Sequence, residues 1–299
     1  MLRSARTTLF LTLACAALVA HTARAADLLG LSIGVAGYTD TDIVSAPSAS
    51  ADATAVHEAL VAMADGGDGA GLTLLATSAE DGSPGRQAVL SSLASIAAHD
   101  ASVDMAVVYF AGQVMSVEGQ AYLLTADTRL DDLAGTAVPL SAVGSALVTA
   151  RAQRKLLVLA GSTGAASPDD TFYEALVQMR DVTVIVACGP GEGIAAMADG
   201  SDAFTHFFVE SLAAAEGVPT LRKLAYSAWD TTQRWAVGNG AKQTPQYMPA
   251  GRGAPTEESA PDELVVMDTT KGRIVIRLYP EDAPEHVANF KKLVRDGFY

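Results

Sequence analysis

The sequence predicts an α/β fold with a mostly parallel β-sheet flanked by helices. Short apolar runs alternate along the chain with longer segments in which apolar residues recur every three or four positions. The short runs are typical of strands buried on both faces, and the longer periodic segments are typical of amphipathic helices. Because the two patterns alternate strictly, they favour an open sheet of parallel strands joined by helices.

Six apolar runs predict the strands of this sheet. The run at 28–35 is apolar nearly throughout, the run that starts at 105 has its tip at Gln113, and the run at 156–160 stops at the small residues 161–164. Strand ends of this kind are where doubly wound folds place their reacting groups. Residues 114–119 are predicted to form a loop. The predicted strands comprise residues 28–35, 72–76, 105–110, 122–124, 156–160 and 182–186.

Helices are predicted between and after these strands. Ser50 or Asp52 is available as the cap of the first helix, and Ser141 as the cap of the third. Pro219 stands at a favoured position in the first turn of the last helix of this part of the chain. Four of the predicted helices comprise residues 50–63, 141–150, 203–215 and 219–237. Another is opened by Pro84 and Gly85 and has Val89, Leu93 and Ile96 on one face. A further helix is predicted around Phe172, Leu176 and Met179.

The N-terminus has the features of an export signal. Arg3 and Arg6 precede an apolar run at 7–20, and Ala23-Arg24-Ala25 forms a small-x-small cleavage site. The apolar run is too short to span a bilayer. We therefore expect export to the bacterial periplasm or beyond, with cleavage after residue 25 and without a membrane anchor.

The charge of the chain limits its partners. Cleavage of the first 25 of 299 residues would leave 274, and the loss of Arg3, Arg6 and Arg24 would take the formal net charge from −14 to −17. Such an acidic chain is not expected to bind nucleic acid or anionic lipid. A cluster of acids at Asp127, Asp131 and Asp132 is expected to be a solvated turn rather than a cation site.

One cysteine, Cys188, remains after cleavage, so no internal disulfide can form. It lies just past a predicted strand and is either a free reactive thiol or, as we expect, a small buried residue. His57, His99 and His206 do not cluster in the sequence and are expected to be structural or surface residues. No cofactor and no metal site are expected.

The composition changes after residue 248. Three prolines, two glycines and two glutamates between 249 and 261 indicate a flexible, semi-extended linker. After it, residues 263–268 and 273–278 alternate as two strands around a turn at 270–272, and Pro284 begins a helix. Two strands and a helix bury too little surface to fold alone, so this part is expected to be the beginning of a larger domain. The predicted organisation is an export segment at 1–25, a main domain at 26–248, a linker at 249–261 and a partial domain at 262–299.

Several passages between residues 28 and 250 share the motifs of one peptidase family. VVYFAGQ is similar to the pattern Y-F-A-G-H-G, and RKLLVLAGSTG is similar to K-x-x-x-x-D-A-C-R. Further similar passages are LSIGVAGY, EGQAYLLTADT, DDLAGTAVPL, DAFTHFFVESL and AKQTPQY. Together they resemble the caspase-like peptidases, in particular the metacaspase-related branch.

The resemblance implies catalysis by acyl transfer, but the required residues are replaced. Gln113 stands at the position of the histidine, and Ser162, 49 residues later, stands at the position of the cysteine. Ala160 replaces the acid that helps to hold a basic substrate residue. An amide cannot act as a general base near neutral pH, and a serine without a base is a poor nucleophile. No catalytic residue is intact, and an inactive peptidase is expected.

The C-terminal passage resembles a second family. TTKGRIVIRLYPEDAPEHVANFKKLVRDGFY is similar to the opening strand pair and first helix of the cyclophilin-type peptidyl-prolyl isomerases. The resemblance implies a closed β-barrel that accelerates rotation about X–Pro bonds. The arginine, glutamine and aromatic residues of that family's pocket come after the passage matched here, so these 299 residues contain no isomerase site.

Three functions remain open from the sequence. The first is an exported cyclophilin-type isomerase whose caspase-like module binds peptide or protein clients. The second is a non-enzymatic caspase-fold protein that binds a partner or serves as a scaffold. The third is a caspase-type cysteine peptidase with residual proteolysis. The client and the oligomeric state are not determined by the sequence.

Overall fold

The structure is a computed structural model that describes residues 26–64, 71–77, 84–162, 170–179, 181–215, 217–251, 264–269, 272–278 and 284–298. The predicted export segment, residues 1–25, and most of the predicted linker, residues 252–261, lie outside these ranges. Within them, no helix combines the length and the apolar character that crossing a bilayer requires.

Eight strands of the described residues form one sheet. They are β1 (Leu28–Val35), β2 (Leu72–Thr77), β3 (Val103–Val117), β4 (Gln120–Leu123), β5 (Val138–Pro139), β6 (Ala152–Ser162), β7 (Thr183–Val186) and β8 (Gln246–Met248). The main order is β2-β1-β3-β6-β7-β8, with the first five strands parallel and β8 antiparallel to β7. The predicted mostly parallel α/β sheet is therefore confirmed.

Helices cover both faces of the sheet. They are α1 (Ala49–Met63), α2 (Arg86–Ala98), α3 (Leu133–Thr136), α4 (Leu140–Thr149), α5 (Asp170–Val177), α6 (Ala203–Ala213) and α7 (Leu221–Gly238). Apolar side chains of α2, α4 and α5 form one core with the sheet, and those of α1, α6 and α7 form a second core. Along β3, Val108 and Phe110 enter the first core while Val107 and Tyr109 enter the second. Burial on both faces explains why the strand is a continuous apolar run.

The predicted loop at 114–119 is wrong, because β3 continues to Val117 and pairs antiparallel with β4. The chain reverses at Glu118 and Gly119, which both have positive φ, 52° and 78°. Two such residues between paired strands make the tight hairpin turn that matches the twist of the strands. Gly119 was the only residue of this segment with an obvious turn preference, so the hairpin was not predicted.

Two predicted helix starts are displaced. α4 begins at Leu140 with Pro139 as its N-cap residue, so Ser141 lies inside the first turn. α7 has Thr220 as its N-cap residue, whose side chain accepts a hydrogen bond from the N–H of Lys223 at 3.3 Å. Pro219 therefore precedes the helix.

The short strand β8 is held by a buried acid. Glu192 is only 7% exposed and accepts hydrogen bonds from the N–H groups of Gly189 (3.1 Å) and Thr244 (2.6 Å). Lys242 forms an ion pair with the same carboxylate at 3.3 Å. These contacts fix the segment that leads into β8 against the loop that follows β7.

The C-terminal part contains β9 (Leu264–Thr269), β10 (Gly272–Arg277) and α8 (Pro284–Arg295). The two strands pair antiparallel, from Gly272 with Thr269 to Arg277 with Leu264. The predicted hairpin and helix are therefore present. Residues 270 and 271 of the predicted turn lie outside the described residues.

Candidate functional site

The structure brings the two predicted strand ends together. β3 and β6 are adjacent and parallel, and their register pairs Gln113 with Ser162 and Ala111 with Ala160. The sequence analysis placed Gln113 and Ser162 at one edge of the sheet, and the register agrees. The side chain of Ser162 lies outside what the structure describes.

Gln113 is held by its backbone at the tip of the site. Its N–H donates to the hydroxyl of Tyr38 at 2.7 Å, and its carbonyl accepts from the N–H of Leu124 at 3.0 Å. Burial raises the pKa of Tyr38 far above its ordinary value, so the phenol keeps its proton. The side chain of Gln113 is 4% exposed. A neutral amide thus occupies this buried position at the tip of β3.

A further departure from the family pattern lies next to Gln113. Val114 stands where Y-F-A-G-H-G has its second glycine, and its side chain is 1% exposed. A Cβ added to Gly161 would lie 2.7 Å from the Cγ1 of Val114. The valine therefore fills the space directly beside the tip of β6. The motif comparison could have revealed this substitution, but the sequence analysis considered only Gln113, Ser162 and Ala160.

A cavity of about 210 Å³ opens at these strand ends. Ala160 contributes to its wall, which shows that the position of the lost acid does face this space. The polar residues that line the cavity include two acids from distant parts of the chain, and the sequence analysis assigned no site role to either of them. The polar lining residues are Ser45, Ser48, Asp52, Gln113 and Asp202.

Asp202 is the N-cap residue of α6 and is 4% exposed. Its carboxylate accepts hydrogen bonds from the N–H of Phe204 at 2.9 Å and from the N–H of Thr205 at 3.3 Å. The hydroxyl of Thr205 donates to the same carboxylate at 2.7 Å and lies 2.7 Å from the hydroxyl of Tyr109. When Asp202 is ionised, Thr205 gives its one proton to that carboxylate, and Tyr109 is then the donor to Thr205. The helix-capping hydrogen bonds and the buried hydroxyl groups of Thr205 and Tyr109 thus fix the carboxylate of Asp202.

Asp52 reaches the same cavity from α1. It was considered as a helix cap, but the N-cap residue of α1 is Ser48, and Ser50 is already helical. The Asp52 carboxylate instead accepts a hydrogen bond from the N–H of Asp202 at 3.3 Å and one from the side chain of Ser48. Like Asp202, it is 4% exposed. This contact joins residues 150 positions apart, and the spacing in the sequence contains no signal for it.

Burial disfavours charge on both carboxylates. It raises the pKa of Asp202 to about 6, against the opposing effect of the Thr205 hydrogen bond and with a further increase from the charge of Asp52. Burial also raises the pKa of Asp52, and the charge of Asp199 adds to this increase. Two buried carboxylates face one cavity and repel each other when both are ionised. A cation that enters the cavity would offset this repulsion.

Cys188 does not supply the missing nucleophile. Its side chain is completely buried, and burial together with the charges of Asp202 and Glu192 raises its pKa to about 12. A thiol in that state is protonated and unreactive near neutral pH. The structure therefore favours the small buried residue over the reactive thiol.

The remaining candidates lie apart from the cavity. His57, His99 and His206 do not line it, and the imidazole of His206 is 3.5 Å from the carboxylate of Glu210 on the same helix. Asp127 accepts hydrogen bonds from the N–H of Arg86 and the hydroxyl of Thr125. Across the described ranges, no group of three or more histidine, cysteine, aspartate or glutamate residues could hold a metal ion.

A larger cavity, of about 630 Å³, lies between α4, α5 and the β3–β4 hairpin. Its floor is formed by residues such as Leu140, Met179 and Val182, and Asp181 is the one charged residue that lines it. Its other polar lining residues, Gln120, Ser141, Ser145, Thr149 and Gln178, are uncharged, whereas the smaller cavity is lined by two buried carboxylates. The smaller cavity at the strand ends is therefore the better candidate.

The fold is that of the caspase-like proteins. Pro-sf-caspase-1 matches with a TM-score of 0.54 and 13% identity over 75% of this chain and 91% of that chain. Caspase-1 from Spodoptera frugiperda matches with a TM-score of 0.52 and 10% identity over 76% and 90%. Protein GSU0716 from Geobacter sulfurreducens matches with a TM-score of 0.51 and 15% identity over 77% and 95%.

The C-terminal part has its own match. Residues 264–299 fit the family model for cyclophilin type peptidyl-prolyl cis-trans isomerase/CLD. No curated protein matches the sequence of the chain. The chain thus combines a caspase-like fold with the start of a cyclophilin-type sequence, as the motifs predicted.

Proposed function

We propose that the caspase-like domain is a peptide-binding module without peptidase activity, in an exported protein that assists the folding of its clients. The cyclophilin-type sequence at 264–299 supports the second half of this proposal, because that family rotates X–Pro bonds. The export segment predicted at 1–25 supports a site of action outside the cytoplasm. The binding module would bring clients to the isomerase domain.

The residues at the strand ends support the proposed lack of peptidase activity. Gln113 has no titratable nitrogen, and Cys188 is buried and protonated. The side chain of Val114 fills the space beside Gly161. The pattern Y-F-A-G-H-G has a glycine at the position of Val114. Acyl transfer needs a base and an activated nucleophile together, and neither is found among the described side chains at this edge.

The ligand class follows from the cavity. Asp52 and Asp202 are both buried there, and no lysine, arginine or histidine of the described residues forms an ion pair with either of them. A cavity of about 210 Å³ accommodates one long side chain. A lysine or arginine side chain of an extended peptide would therefore bind with its charged end at the acid pair. The acid pair in the cavity is the observation that carries the proposal.

Binding can be tested by fluorescence anisotropy with short, rhodamine-labelled peptides of glycine, serine and alanine. One peptide has a central lysine and the other has norleucine, which keeps the alkyl chain and lacks the charge. The lysine peptide is expected to bind at least about tenfold more tightly at pH 7, since loss of one buried charged contact costs about 1.5–3 kcal/mol. Asp52→Asn and Asp202→Asn should each remove most of this preference.

Glu210→Gln is the matched control, because it removes an exposed acid from the same helix as Asp202. It should bind both peptides as the wild type does. Equal affinity of the wild type for the two peptides would contradict the proposed ligand class. Absence of binding to any peptide would favour the scaffold alternative instead.

A further inference from the structure

We infer that the strand-end cavity is a proton-coupled site: in mildly acidic solution the Asp52–Asp202 pair of the empty cavity holds a proton, and it releases this proton when a cationic side chain enters. The inference rests on the proposed function and adds a regulation to it. Peptide binding would then weaken in an acidic environment and strengthen toward neutral pH, without any change of fold.

The groups around the pair decide the charge of the empty cavity. α1 contributes Asp52, α6 contributes Asp202, and β3 contributes Tyr109 through Thr205. Cys188 follows β7, and Asp199 lies in the loop before α6; both interact electrostatically with the pair. Gln113 completes the polar lining as a neutral amide. Among the described residues, the titratable groups that interact with the pair, Tyr109, Cys188 and Asp199, are thus neutral or negative.

The position of the pair prevents water from compensating for two charges. Both carboxylates are 4% exposed, and the N–H of Asp202 donates to Asp52, so the two residues are in direct contact. Two ionised carboxylates at such a site repel each other in a medium that screens poorly, and one proton relieves both the repulsion and the desolvation. The raised pKa of Asp202, about 6, agrees with this geometry.

An ammonium or guanidinium group that enters the cavity reverses the preference of the pair for the protonated state. Its charge stabilises both ionised carboxylates, so the proton leaves to solvent as the cation binds. The lysine side chain itself remains protonated throughout the acid and neutral range. With one proton released per ligand and a midpoint near pH 6, affinity at pH 5 is expected to be about tenfold lower than at pH 7.

Two measurements on the full-length protein test the inference. Carboxyl ¹³C NMR of the free protein should show a resonance that titrates near pH 6, disappears in Asp202→Asn or Asp52→Asn, and moves to lower pH with the lysine peptide. Anisotropy with the same rhodamine peptide at pH 5 and pH 7 should show the tenfold difference, and Glu210→Gln should retain it. Asparagine is itself a favoured N-cap residue, so Asp202→Asn is expected to fold.

The outcomes separate the inference from the proposed function. If the lysine peptide binds equally at pH 5 and pH 7, the proton coupling is wrong and peptide binding stands. The resonances that disappear in the two variants show whether Asp52 or Asp202 titrates above pH 5 in the free protein. If neither does, the proton coupling is wrong, regardless of how the peptide binds. If the titration near pH 6 is present but no peptide binds at either pH, the proposed function fails, and the coupling fails with it.

Discussion

Asp202 caps α6 and also lies buried in a cavity, and the two roles oppose each other. Capping and the Thr205 hydroxyl favour the ionised carboxylate, while burial and Asp52 favour the protonated one. Burial is the larger effect, since the pKa of the folded protein is raised from 3.8 to about 6. The folded state therefore binds this proton more tightly than the unfolded state does.

The first prediction concerns the stability of Asp202→Asn. A raised pKa in the folded state means that the contribution of Asp202 to stability is fully present below pH 3.8 and is lost as the pH rises through 6. The free energy of unfolding of the wild type should fall relative to the variant by up to about 3 kcal/mol between pH 4 and pH 7. Urea denaturation at both pH values measures this difference. If the wild type instead became more stable relative to the variant toward pH 7, the raised pKa of Asp202 would be wrong.

The second prediction concerns the proposed lack of peptidase activity. The wild type should not cleave arginyl or lysyl reporter peptides, and the double variant Gln113→His with Ser162→Cys should remain inactive. The reason is that Ala160 still lacks its carboxylate and Val114 still fills the space beside Gly161. Cleavage should require Ala160→Asp and Val114→Gly in addition. Reporter hydrolysis by the wild type that disappears in Ser162→Ala would show that the domain is an active peptidase.

Among the elements, the β3–β4 hairpin extends the central strand β3 beyond its parallel neighbours β1 and β6. Its turn depends on positive φ at both Glu118 and Gly119. The hairpin lies directly beyond Gln113, whose carbonyl accepts the N–H of Leu124. It therefore helps to hold the tip of β3 at the cavity.

The third prediction is that Gly119→Ala destabilises the protein by about 1 kcal/mol, because an alanine at a φ of 78° is strained. No atom lies within 4 Å of the added Cβ, so the cost is conformational and not steric. Gly193→Ala is the control, since that position is equally open and does not have a positive φ. Chemical denaturation of the two variants compares them. Equal stability of both would show that the turn does not depend on glycine.

Local patterns predicted most elements, and they failed where distant segments meet. The run at 105–110 and the run at 156–160 showed a buried parallel sheet, because each strand is apolar on both faces. The motif resemblance singled out Gln113 and Ser162 at two strand ends, and the register of β3 and β6 pairs them. The contact between Asp52 and Asp202 was not, because it joins α1 to α6 across 150 residues. The acids of the cavity could be found only from the fold.

For the whole molecule, the two matches with known proteins differ in extent. The caspase-like fold covers 75–77% of the chain and 90–95% of the solved chains it resembles. The cyclophilin-type match covers only residues 264–299, which contain two paired strands and one helix. The binding proposal therefore concerns the part of the chain that matches the caspase-like fold, and the isomerase proposal concerns residues 264–299.

The fourth prediction follows from that difference. A polypeptide that ends at Tyr299 should give only the uncatalysed rate in a protease-coupled proline-isomerisation assay. A two-stranded hairpin cannot close into a barrel, and rotation of an X–Pro bond needs a pocket that holds the twisted amide. The assay should include a complete cyclophilin as its positive control. The same polypeptide should still bind the lysine peptide, because Asp52 and Asp202 belong to the caspase-like domain. Acceleration of isomerisation by this polypeptide would show that an isomerase site lies within the 299 residues.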